Sequence, residues 1–234
     1  MTNRSPSGLR AVGFDLDGTL FDHRGAATSG AVRFLESLGV TASASAIDRW
    51  FAAETEQFER WRGGQISFPE QRRERLRAVL PALGVPTPTD HQELDELFDA
   101  YRHHYEAWWR AYPGSLPLLR TLRVWGYRIG VLTNGTETQQ VDKLRRTGLL
   151  DAIDVVCTSE RIGVQKPDRR AFETLSAELG VEPGGCLFVG DSVAHDVEAA
   201  RAAGMHGLLI DHGAQDGPDM EALVLTALGG GTRP

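Results

Sequence analysis

The segment Phe14-Asp15-Leu16-Asp17-Gly18-Thr19-Leu20 sets two carboxylates two residues apart, directly after an apolar run. Like charges about 4 Å apart cost about 4 kcal/mol at an effective dielectric of 20. A fold keeps such a pair where a cation sits beside it or one carboxyl stays protonated. Otherwise Asp-Gly marks an ordinary surface turn. Val189-Gly190-Asp191-Ser192-Val193-Ala194-His195-Asp196 repeats the arrangement, with two acids following a buried run and entering a helix. Asp191 or Ser192 would cap that helix, and Asp196 would favour its dipole. Leu132-Thr133-Asn134-Gly135-Thr136 offers a hydroxyl and a glycine turn whose backbone N–H groups open a helix. That suits an anionic oxygen. In Gln165-Lys166-Pro167-Asp168 the proline pushes Lys166 out of the α region, and Pro167 itself suits a first helical position. An ammonium is thereby held just outside a helix start.

Lysine is scarce in this chain. Of 25 basic residues only Lys143 and Lys166 are lysines. A compact ammonium is not interchangeable with a guanidinium fork, so the retention of Lys166 is suggestive. Lys143 is placed on an exposed helix face.

The elements that would position these groups are legible. Short apolar runs at 9–14, 127–132, 154–157, 186–189 and 207–210 are bounded by turn residues, as buried strands are. Helical patterns fill the gaps: 116–124, the stripe Val141, Leu144, Leu149, the stripe Phe172, Leu175, Leu179, and 193–203. Alternating strand and helix implies a Rossmann-like α/β fold, a parallel sheet with helices on both faces. Ligands of such sheets bind at the carboxyl ends of the strands, where Asp15, Thr133 and Asp191 fall.

Residues 23–107 carry no strand pattern. Their stripes are Val32, Phe34, Leu35, Leu38; then Trp50, Phe51, Phe58, Trp61; then Leu76, Val79, Leu80, Leu83; then Leu94, Leu97, Phe98, Tyr101, Tyr105, Trp108. An all-helical block therefore interrupts the α/β pattern after its first strand. The expected division is a core of 9–22 and 108–228, a helical insertion of 23–107, and frayed termini at 1–8 and 229–234, with hinges at 22–25 and 111–114.

The chain has 234 residues, a net charge of −7 and a pI near 5.5. That balance argues against a nucleic-acid polymer as partner, which needs a basic face. No run approaches a membrane span, and residues 1–8 lack the apolar stretch of a signal peptide. Cys157 and Cys186 build neither a disulfide scaffold nor a four-cysteine metal site, and in buried strands they should be inert. The expectation is a soluble cytoplasmic protein.

Taken together, the segments 15–19, 133–135, Lys166 and 190–196 resemble, in order and spacing, the four motifs of the haloacid dehalogenase superfamily, specifically its phosphatase branch. The likeness covers nearly the whole chain, and the block 23–107 looks like that family's C1-type cap. The resemblance implies that Asp15 attacks phosphorus to form an aspartyl-phosphate, and that Asp17 protonates the leaving oxygen and then takes a proton from water. It implies Mg²⁺ held by the Asp15 carboxylate, the Asp17 backbone carbonyl and Asp191, with Asp196 supporting the metal or ligating it. Thr133 and the Asn134 amide would hold phosphoryl oxygens. Lys166 would neutralise both phosphate and nucleophile. The substrate would be a small phosphorylated metabolite: a nucleotide, sugar or acid phosphate.

Rival readings are a phosphomutase or a 2-haloacid dehalogenase of the same fold, or a catalytically silent binding protein. The dehalogenases lack the second aspartate, so Asp17 argues against that one. A phosphonate hydrolase needs a cap lysine, and 23–107 holds none. A silent protein should have lost a catalytic group, and none is missing. His23, His103 and His104 read as surface or core histidines. Arg62-Gly63-Gly64 is the cap loop best suited to touch substrate, because glycine permits close approach.

Overall fold

The computed structural model describes residues 8–213 and 219–229. The frayed termini expected at 1–8 and 229–234 lie outside these apart from Gly8 and Gly229. The chain divides into two compact units, Met1–Asp22 with Arg110–Pro234, and His23–Trp109.

The first unit begins with β1 (Ala11–Phe14), whose four residues are all buried. After the helical insertion, α1 to α4, the chain continues with α5 (Ser115–Val124), β2 (Arg128–Thr133), α6 (Glu137–Arg146), β3 (Val155–Thr158) and the single turn α7 (Ser159–Ile162). Then come α8 (Arg169–Glu178), β4 (Cys186–Gly190), a π-helical stretch Val193–Glu198, α9 (Ala199–Ala202), β5 (His206–Leu209) and α10 (Met220–Ala227). The sheet is fully parallel, in the order β3-β2-β1-β4-β5. Phe14 pairs with Val131 on one side and Val189 on the other. The chain therefore reverses its direction of travel between β1 and β4, the place where open α/β sheets leave a crevice at the strand ends. Phe172 and Phe188 meet edge-to-face at 5.0 Å beneath it, in a cluster with Leu175 and Leu132.

Two local expectations are corrected. Pro167 does not open α8; Asp168 is the cap, its carboxylate accepting from Arg170 N at 2.9 Å, so the proline stands before the helix. The helix expected over 193–203 is not α throughout. Val197 N donates to Ser192 O, five residues back, at 3.1 Å. Such widened turns cluster at functional sites.

The second unit is α1 (His23–Ser37), α2 (Ala44–Arg62), α3 (Phe68–Val79), a short 3₁₀ turn Pro81–Leu83 and α4 (His91–Glu106). Ser43, Ser67 and Asp90 cap α2, α3 and α4 with their side chains. Phe34, Trp50 and Tyr101 pack together at its centre. Trp108 does not join the stripe on α4. The helix has ended at Glu106, and Trp108 is 42% exposed. Among the described residues no helix is long and apolar enough to cross a membrane.

Candidate active site

Asp15 follows β1 directly, and its backbone N–H donates to Val189 O at 2.8 Å, extending the pairing by one residue. That fixes the carboxylate at the crevice, where Asp15 is buried. Gly18 turns the loop with φ +92°, and a Cβ there would fall 2.2 Å from Asp191 Oδ2. Only glycine lets the two segments approach so closely. The loop is tied down at Thr19, whose carbonyl accepts from His212 Nε2 at 2.8 Å.

Asp191 follows β4. Ser192 caps the π-helical stretch, and the widened turn brings Asp196 back so that its Oδ2 accepts from Ser192 N at 3.0 Å. Its other oxygen points at Lys166. Lys166 Nζ lies 2.5 Å from Asp15 Oδ1 and 2.6 Å from Asp196 Oδ1, with all three residues buried. The lysine is aimed by Asn134, whose side-chain amide donates to Lys166 O and accepts from Lys166 N, both at 2.9 Å. The Asn134 side chain is thus committed to the lysine loop.

One carboxylate oxygen each from Asp15, Asp191 and Asp196 lie within 4.8 Å of one another. These are hard oxygen donors, and Mg²⁺ binds oxygens at about 2.1 Å in an octahedron. Three oxygens this close can share one such ion with small side-chain adjustments. Burial pushes the Asp15 carboxyl up to about 8, with Lys166 pulling against it and Asp196 and Asp191 adding to the rise. Loss of hydration, then Asp196, raises Asp191 too. Burial opposes the charge on Lys166, yet its two aspartate partners carry its pKa above the ordinary value. The cluster is short of positive charge, and a divalent cation would offset that deficit.

Two residues outside the expected set complete the site. Lys143 is not on an exposed face. It is 3% exposed, and its Nζ lies 2.6 Å from Asp17 Oδ1 and 2.8 Å from Oδ2, with the Phe21 ring centroid at 5.0 Å. One turn earlier on α6, Gln140 Nε2 donates to Thr133 Oγ1 at 2.5 Å and Asp17 Oδ2 at 3.0 Å. The scarcity of lysine was the signal that could have found Lys143; both lysines of the chain sit on the paired aspartates.

The glycine turn after β2 is corrected in detail. Gly135 N already donates to Ser159 Oγ at 2.9 Å, and Glu137 N to Glu160 Oε2 at 2.8 Å. Those amides anchor α7 rather than await an anion. Arg62, Gly63 and Gly64 lie in the helical unit, where Arg62 ends α2 on Glu59 and over Phe58. His23 is bound between Tyr105 and Glu54. Cys157 and Cys186 are fully buried, and burial pushes both thiols up to about 12.

The sequence profile of the haloacid dehalogenase-like hydrolases matches residues 9–204. The chain belongs to that family. It is a hydrolase with phosphatase relatives. Ribulose-1,5-bisphosphate 5-phosphatase of Halopiger xanaduensis is 32% identical over 86% of this hydrolase and 84% of its own length. Phosphatase MT3486 of Mycobacterium tuberculosis is 40% identical, over 52% of this chain and 54% of its own; this hydrolase spans about half the length of that relative. Among solved structures, the magnesium-bound HAD-hydrolase YfnB of Bacillus subtilis superposes with a TM-score of 0.79 at 19% identity, over 94% of this chain and 99% of that one. The defluorinating L-2-haloacid dehalogenase Rha0230 gives 0.71 at 29% identity, over 92% and 87%.

Proposed function

We propose that this hydrolase is a Mg²⁺-dependent phosphomonoesterase that works through an aspartyl-phosphate on Asp15, with a small phosphorylated metabolite as substrate. The observation that carries the reading is the buried Asp15 carboxylate at the end of β1, 2.5 Å from Lys166 Nζ and sharing a cation-sized space with Asp191 and Asp196. The phosphatase names of its relatives point the same way. His23–Trp109 is read as the cap domain and the remainder as the catalytic domain.

Bound Mg²⁺, held by Asp15, Asp191 and the backbone carbonyl of Asp17, with Asp196 beside it, would neutralise phosphoryl charge. Lys166 adds to that neutralisation, so an anionic carboxylate can approach an anionic ester. An Asp15 oxygen forms a bond to phosphorus while the bond to the ester oxygen breaks. The departing oxygen keeps the electron pair and takes the proton carried by Asp17. Asp17, now a carboxylate, then accepts a proton from water as the water oxygen attacks phosphorus. The Asp15–phosphorus bond breaks, and inorganic phosphate leaves. Thr133 donates its hydroxyl hydrogen to a phosphoryl oxygen. Positioning and electrostatics supply most of the acceleration in phosphoryl transfer.

The test is phosphate release across nucleotides, sugar phosphates and small acid phosphates with Mg²⁺ or with EDTA, together with acid-quench trapping of labelled protein. Metal-dependent turnover with label on Asp15 is expected. Turnover that is unaffected by EDTA, or a label-free enzyme during turnover, overturns the reading. A second reading, hydrolysis of a 2-haloacid, has the 29%-identical dehalogenase in its favour and Asp17 against it. Halide release from a 2-haloacid would establish it.

A further inference from the structure

We infer that Lys143 and Gln140, one turn apart on α6, form the positioning device for Asp17, holding its carboxylate where it can reach the leaving oxygen. The inference deepens the phosphatase reading and rests on it. Lys143 spans both carboxylate oxygens of Asp17, at 2.6 and 2.8 Å, and Gln140 Nε2 adds a third donor to Oδ2. Asp17 stands beyond the end of β1, just before the Gly18 turn, and is bridged to Phe21 through its backbone. That pairing fixes its main chain but not its side-chain rotamer, which three hydrogen bonds from two side chains of one helix do fix. Lys143 is itself confined. It is 3% exposed, and the Phe21 ring centroid lies 5.0 Å from its Nζ.

Gln140 does a second job with the same amide nitrogen. It donates to Thr133 Oγ1 at 2.5 Å. The Thr133 oxygen is thereby the acceptor, and its hydrogen is left to donate elsewhere. One side chain thus sets the distance between the group that holds phosphate and the group that serves the leaving oxygen. Geometry of that kind is where large rate factors reside, since a misplacement of about 1 Å can cost about 10²-fold.

A positioning role for Asp17 has a signature that a merely structural ion pair lacks. It weighs on esters whose leaving oxygen needs a proton. Phenyl phosphate and p-nitrophenyl phosphate are nearly the same shape, but the phenyl leaving oxygen is much more basic. Lys143→Met is expected to lower kcat on phenyl phosphate roughly 10²-fold and on p-nitrophenyl phosphate less than about fivefold, within the range that acid–base groups supply. In an Asp17→Asn background the same change should do nothing further, because coupled residues are not additive. Gln140→Met should show the same preference in smaller degree, and it carries the test if Lys143→Met does not fold. Equal losses on the two esters, an additive loss in the Asp17→Asn background, or an unchanged or raised rate on phenyl phosphate overturns the inference alone. A wild type inactive on both esters, with every divalent cation, overturns the phosphatase reading and this inference with it.

Discussion

Among the described residues two clusters of charge stand out, one at the strand ends with Asp15, Asp196 and both lysines buried and Asp191 on its exposed rim, the other inside the helical unit, and they are built on opposite terms. At the strand ends, four aspartates (15, 17, 191 and 196) gather around two ammonium groups, Lys143 and Lys166. With all four carboxylates ionised two negative charges would be left over; burial instead pushes the Asp15 carboxyl up, and a divalent cation would offset the excess that remains. In the helical unit, Glu54 meets one guanidinium. Arg75 Nη1 lies 2.6 Å from Glu54 Oε2, and His23 Nε2 lies 3.1 Å from the other oxygen. The rings of Trp50, Phe58, Phe98 and Tyr101 surround Arg75 within 6.0 Å. In that pair one carboxylate meets one guanidinium inside a wall of aromatic rings. The first cluster is costly as it stands and is suited to take in ions; the second is self-contained and suited to fix helix packing. Buried charge alone says little about function. Its imbalance says more.

The comparison breaks first at Asp15. Asp15→Asn removes the proposed nucleophile while keeping the side-chain shape. Turnover should fall by at least about 10⁴-fold, the scale seen when nucleophiles are removed, with the far-ultraviolet circular dichroism unchanged. Substantial residual phosphate release would move this cluster into the same structural class as Glu54 and Arg75. The opposite experiment is Arg75→Met. It strands a buried carboxylate, and breaking one partner of such a pair costs about 3–5 kcal/mol. Urea unfolding should register that loss, and adding Glu54→Leu should recover most of it. If Arg75→Met leaves the unfolding midpoint where it was, the second cluster is not the packing element described.

Lys166→Arg sharpens the distinction between the cations. The charge is kept, but the fork cannot enter a space shaped for an ammonium between Asp15 and Asp196. A fall in kcat of roughly 10²–10³-fold is expected, like the loss of one preorganised donor; near-normal kcat would mean the site reads charge and not shape. A gentler probe is Mg²⁺ itself. At about 100 times its dissociation constant, a cation bound only by the folded state adds about 2.7 kcal/mol of stability. Thermal unfolding should shift upward with Mg²⁺, and the shift should vanish in Asp191→Asn while surviving in Arg75→Met. A shift retained by Asp191→Asn would place the ion elsewhere.

The fold was legible because strand and helix signals alternated cleanly, and every apolar run at 9–14, 127–132, 154–157, 186–189 and 207–210 contains or overlaps a strand. Convergence of the acids followed from the parallel sheet, since Asp15 and Asp191 directly follow neighbouring strands and Asp17 and Asp196 lie on the segments that continue from them. What escaped was the inner face of α6. The stripe Val141, Leu144 and Leu149 suggested that Lys143 pointed outward. The helix is rotated instead, burying Gln140, Lys143 and Leu144, because Asp17 offers Lys143 a buried partner 126 residues away in sequence. Local periodicity cannot register a partner so distant. The same holds for the amides of Gly135 and Glu137, which are claimed by α7 side chains about two dozen residues on. Pro167 was misread for a nearer reason: the Asp168 carboxylate is the stronger cap.

The cysteines give the comparison its baseline, since they are buried groups that belong to neither cluster. Cys157 lies inside β3 and Cys186 opens β4, both with no exposed surface. The reactive species is the thiolate, and loss of hydration pushes both thiols up to about 12. At pH 8.5 both thiols then stay almost wholly protonated, where a free cysteine is about half ionised. Iodoacetamide at pH 8.5 should therefore leave the folded protein unlabelled and fully active, and should label both residues in urea. Because the thiol pKa is raised, labelling of the folded protein should grow only as pH climbs toward 12, up to the point where the fold itself opens. Rapid labelling at pH 8.5 that also halts turnover would mean that a thiol lies open beside the aspartates, and the division between reactive and inert burial would have to be redrawn around it.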